Sequence, residues 1–159
     1  MRRMRQMNVI GTMVRKLAST VALAALMVVP GIIAGCGQPA TGGPVETIVT
    51  AELGEYYIKL SRTSVPAGKV TFAVSNVGKM EHELIIIQTD LAADKLPMGR
   101  EGDPTRVDED KVGTAGEVPD IAAGKTSSGT FDLKAGKYLL ICNKAGHFPA
   151  GQWIAFKVT

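Results

Sequence analysis

The chain is 159 residues long, 45% hydrophobic and 21% charged, with two histidines and two cysteines. Five of its 18 basic residues, Arg2, Arg3, Arg5, Arg15 and Lys16, precede Cys36, whereas all 15 acidic residues follow it, which leaves 13 basic against 15 acidic beyond Cys36. The basic pI of about 8.9 therefore belongs to the N-terminal segment and gives no support to a nucleic-acid partner.

Residues 1–35 read as a bacterial lipoprotein signal peptide. Arg15-Lys16 precede the largely apolar run Leu17 to Ile33, the order of a positive n-region and an apolar h-region. A transmembrane helix needs about 20 apolar residues, and Pro30-Gly31 interrupt this run. Ile33-Ala34-Gly35-Cys36 resembles a lipobox, which makes Cys36 the expected lipidation site. Each buried acyl CH2 then contributes about 0.8 kcal/mol to membrane anchoring. The alternative is an uncleaved anchor helix; both readings put the domain outside the cytoplasmic membrane. Residues 36–46, with Gly37 to Gly43 reading GQPATGG, form a lipidated cysteine and flexible tether, and residues 47–159 suit one domain.

Beyond the tether the hydrophobic pattern is of strand type. In Lys69 to Val77 the residues Val70, Phe72 and Val74 alternate with Thr71, Ala73 and Ser75, as in a half-buried strand. Tyr57 to Leu60, Thr130 to Leu133 and Trp153 to Val158 follow the same rule, the last with Ile154, Phe156 and Val158 on one face. Glu83 to Gln88 and Tyr138 to Cys142 are continuous apolar runs, suited to central strands covered on both sides. Ala-Gly-Lys precedes three of the strands as turn punctuation. The expectation is an all-β, Greek-key sandwich or barrel. Residues 89–120, rich in Gly, Pro and charges of both signs, form a long irregular or partly helical insertion, read as a solvated excursion or a partner-recognition surface.

With Cys36 assigned to lipid, Cys142 is unpaired, a liability in an oxidising compartment unless buried or bound. Cys142 closes one strand, His147 follows after four residues, and His82 opens the apolar strand at Glu83. If those strands are neighbours, the three side chains converge at one pole. Two imidazoles and a thiolate with a weak axial donor describe a type 1 copper site, and four further residues bring Gln152 to the axial position. Met80 is an alternative axial donor. Zinc could occupy the same ligands, but copper outcompetes it.

Cys142, His147 and Gln152, with the upstream Asn76-x-Gly78-x-x-x-His82, resemble the ligand motif of cupredoxins, and the resemblance extends from about Ile48 to Thr159. The tail from Gly136 to Trp153 is most similar to sulfocyanin-like cupredoxins, whose axial position usually holds methionine; an axial glutamine resembles that of stellacyanins. The resemblance implies one copper ion cycling between Cu(I) and Cu(II), and a lipid-anchored single-electron carrier, not an enzyme. It implies redox proteins as donor and acceptor, such as a cytochrome or a membrane oxidoreductase, and a monomer on the periplasmic or extracellular face of a bacterial membrane. His147 is then the electron exit, and Phe148, Pro149 and Trp153 are candidates for partner docking, the alternative being that Phe148 and Trp153 cap the end of the core. Glu83 stands where many family members carry an asparagine that helps hold the thiolate. The alternative is a periplasmic copper-buffering protein; Met80 and Met98 as the only methionines beyond the leader disfavour it.

Overall fold

A computed structural model describes residues 46–159. The signal segment, Cys36 and most of the tether lie outside the described residues. The described part is a sandwich of two sheets. The first has the order β2-β1-β4-β9, with β1 Thr47–Gly54, β2 Tyr57–Leu60, β4 Gly68–Asn76 and β9 Thr126–Leu133. The second has the order β3-β11-β10-β5-β8, with β3 Ser64–Val65, β5 His82–Gln88, β8 Gly113–Ile121, β10 Gly136–Ile141 and β11 Trp153–Val158. A separate hairpin pairs β6 Met98–Arg100 with β7 Asp103–Val107.

The alternation in β4 is realised: Val70, Phe72, Val74 and Asn76 are buried, because successive strand residues point to opposite faces. β1 alternates likewise through Val49, Ala51 and Leu53. These side chains meet Leu84, Ile86, Leu140, Phe156 and Val158 from the second sheet in one core.

The apolar run of β5 is covered on both faces. Leu84 and Ile86 enter the core between the sheets, while Ile85 and Ile87 enter a second one with Leu139, Ile141, Leu96, Val107 and Phe148. That second core lies under the insertion, which is therefore more ordered than a solvated excursion. Its first part holds two 3-10 turns, Ala93–Lys95 and Glu109–Lys111, flanking the β6-β7 hairpin, and residues 113–121 pair with β5 as β8. Removing one of these aliphatic side chains would cost about 2–5 kcal/mol.

Candidate metal centre

Register alone brings two of the expected ligands together. In the β10-β11 ladder Ile141 faces Trp153, and one step further the Cys142 N–H donates to Gln152 O at 3.0 Å. β5 pairs with the other edge of β10, Ile85 opposite Ile141, so His82 starts its strand at the same pole. His147 arrives by the loop. Its N–H bonds to Lys144 O at 2.9 Å, Gly151 N to Phe148 O at 3.0 Å, and Gln152 N to His147 O at 3.1 Å. Gly146 at φ +80° supplies the left-handed residue this tight bend requires.

Among the described residues, His82, Cys142 and His147 form the single cluster able to hold a metal ion, and all three are buried. His82 Nδ1 and His147 Nδ1 are 3.3 Å apart, and Cys142 Sγ lies 3.7 Å from the first and 3.4 Å from the second. The centre of such a triangle is about 2 Å from each corner, the length of nitrogen and sulfur bonds to a soft divalent metal.

Gln152 completes the pocket. It is fully buried; its Nε2 donates to Gly54 O at 3.0 Å and meets His82 Nδ1 at 3.0 Å, while Oε1 has no hydrogen-bond partner among the described residues. An unpartnered buried carbonyl oxygen beside two imidazoles and a thiol is a donor set suited to copper. Met80 is 37% exposed, and its carbonyl accepts a bond from Asn76 Nδ2.

Burial sets the protonation of the donors. Desolvation pushes the Cys142 thiol up to about 11 and holds both histidines below the usual imidazole range, the second charge of His147 adding to the effect at His82. A metal must therefore expel the thiol proton but finds both imidazoles neutral.

The loop is held from the insertion side. Asn143 Oδ1 accepts from Val107 N at 2.7 Å, and its Nδ2 donates to Val107 O at 2.9 Å and to Glu109 Oε1 at 2.7 Å. Its carbonyl accepts from Arg106 Nε at 3.0 Å, and Gly146 N donates to Thr105 Oγ1 at 3.0 Å. The Glu83 side chain, in a residue 6% exposed, accepts from Asn143 N at 3.1 Å and so holds the loop backbone, while the backbone N–H groups of Glu83 and Lys144 favour the thiolate of Cys142. Lys144 reaches Glu81 at 2.8 Å and Asp120 at 2.5 Å. Burial works against its charge, but these carboxylates outweigh it and hold the ammonium above the usual range.

Phe148 is 6% exposed and belongs to the second core, so it cannot serve as a docking residue: its ring is the apolar anchor of the loop. Pro149 is exposed and Trp153 is 40% exposed. The β1-β2 turn carries contacts that strand periodicity does not reveal. Besides the Gly54 carbonyl, it sets Tyr56 edge-on to the His147 ring, with centroids 5.7 Å apart.

The sulfocyanin (SoxE) domain family matches residues 59–159. The chain belongs to the sulfocyanin family. Its fold is similar to that of solved cupredoxins. Auracyanin from Roseiflexus castenholzii is 21% identical with a TM-score of 0.56, over 74% of this chain and 99% of that one. Auracyanin A, a "blue" copper protein from Chloroflexus aurantiacus, is 26% identical with a TM-score of 0.50, over 70% and 99%. Rusticyanin from Thiobacillus ferrooxidans is 18% identical with a TM-score of 0.54, over 72% and 77%. No curated protein matches the chain. As a sulfocyanin-family cupredoxin, the protein is a blue copper electron carrier with one type 1 copper as its cofactor.

Proposed function

We propose that the protein is an exported, lipid-anchored carrier of single electrons whose copper is held by His82 Nδ1, Cys142 Sγ and His147 Nδ1, with Gln152 Oε1 as the weak axial donor. The observation that carries this reading is the convergence of three buried donor atoms within 4.8 Å of one another. Copper held by these residues would supply a one-electron Cu(II)/Cu(I) couple for exchange with a donor and an acceptor protein.

The chain's own part is to keep the donors in place and water out. Sheet register holds His82, Cys142 and Gln152; the Asn143 bonds and the buried Phe148 hold the loop that carries His147. Little rearrangement then accompanies a change of charge. His147 is the exit towards a partner such as a cytochrome or a membrane oxidoreductase, because exposed Pro149 and Ala150 lie just beyond it in the loop. Acylation of Cys36 after removal of residues 1–35, supported by Ile33-Ala34-Gly35-Cys36, tethers the 47–159 domain, a monomer, to the outer face of a bacterial membrane.

The test is the visible and EPR spectrum of the copper-loaded domain. An intense thiolate-to-copper band is expected, lost in Cys142→Ala. A wild-type protein without that band after copper loading, or a variant that keeps it, would disprove the ligand set.

A further inference from the structure

The β1-β2 turn carries an acidic residue that electron transfer by itself does not require. Glu55 Oε1 accepts the backbone N–H of Lys79 and, at 3.1 Å, that of Met80. Gly78 makes room for this seat, since a Cβ there would stand 2.5 Å from Glu55 Oε1, nearer than real Cβ contacts come. Seated in this way, Glu55 Oε1 is 4.0 Å from His82 Nε2. That nitrogen is buried and has no hydrogen-bond partner among the described residues, an arrangement that costs about 1–3 kcal/mol unless an acceptor is provided.

We propose that Glu55 is a positioning residue for the metal centre: its carboxylate faces His82 Nε2, keeps the ring proton there, and so leaves Nδ1 bare towards the metal. A carboxylate behind a ligating imidazole fixes the tautomer and raises the basicity of the ring. Its negative charge also favours the more positive metal state. The inference rests on His82 being a ligand. It assigns the site's redox poise in part to a residue that touches neither metal nor partner, and it gives Gly78 a purpose, which is to admit the carboxylate.

Two variants separate charge from shape. Glu55→Gln keeps an acceptor oxygen for Lys79 and Met80 but loses the charge, while Gly78→Ala keeps the charge but displaces it. Both should raise the reduction potential of the copper-loaded protein. The expected shift for Glu55→Gln is about tenfold in the Cu(II)/Cu(I) ratio at fixed ambient potential, or 59 mV for one electron. An intact blue band with an unchanged potential in Glu55→Gln overturns the proposal and leaves the ligand set standing. A wild type that shows no blue band overturns both. If Glu55→Gln does not fold, Gly78→Ala decides, an unchanged potential again overturning the proposal. Thermal unfolding of the metal-free proteins is the control: a lower melting temperature with an unmoved potential makes Glu55 a structural tie only, and overturns it too.

Discussion

Asn143 and Pro149 stand six residues apart in the same loop and have opposite surroundings. Every polar atom of Asn143 is bonded, to Val107, Glu109, Arg106 and Glu83, and the residue is fully buried. Pro149, Ala150 and Gly151 are exposed, and the nearest neighbour a side chain at 151 would meet is the Tyr56 carbonyl at 3.7 Å. The loop is thus fastened where it leaves the thiol and open where it passes the second histidine. Rigidity and access, which a small electron carrier needs together, are supplied by different ends of one short segment.

Breaking the fastened end should have the largest effect. Asn143→Ala strands the partners of a buried amide, so a loss of about 2–4 kcal/mol in denaturant-unfolding stability is expected, with a broadened copper EPR signal. The same dry surroundings make stability depend on pH. The folded thiol of Cys142, raised to about 11, keeps a proton that the unfolded chain loses near 8.5. Its contribution is therefore fully present below that lower value and is lost as pH rises through about 11. Relative to Cys142→Ala, metal-free wild type should lose about 3 kcal/mol between those limits, as read by thermal unfolding.

Gln152 follows the open end, and Gln152→Met exchanges an amide oxygen for a softer thioether while releasing Gly54 O. The potential should rise by about 59 mV or more, a tenfold change, in voltammetry; an unmoved potential would remove Gln152 from the axial place. At the open end the effect is kinetic. Pro149→Glu should leave stability within about 0.5 kcal/mol but slow electron self-exchange several-fold, because two copies would then meet with like charges; the NMR line-broadening rate should recover in high salt.

What could be read from residue order was whatever depends on period and chemistry. Val70, Phe72 and Val74 share a buried face as their alternation demands, β5 is covered on both sides as its unbroken apolar run demands, and His82, Cys142 and His147 converge. What stayed hidden depends on contacts between segments distant in the chain. β8 buries only Val118 and Ile121, with Glu117 and Asp120 outside, so it shows no strand period. Residue order leaves Phe148 undecided between docking rim and core cap, because nothing local reveals that it packs with Leu96 and Val107. The role of Asn143 was invisible for the same reason, its partners lying 34 to 60 residues upstream.

The β10-β11 ladder has a consequence for rebuilding the protein. Cys142 and Gln152 flank one ladder and His82 opens the neighbouring strand, so three of the four proposed ligands would survive a change in loop length. Only His147 would move. An insertion after Gly146 would thus preserve a three-donor pocket while freeing one coordination position for a small exogenous molecule. Loop length, independent of the sandwich, then becomes the dial between a closed carrier and an open site on which new reactivity could be selected.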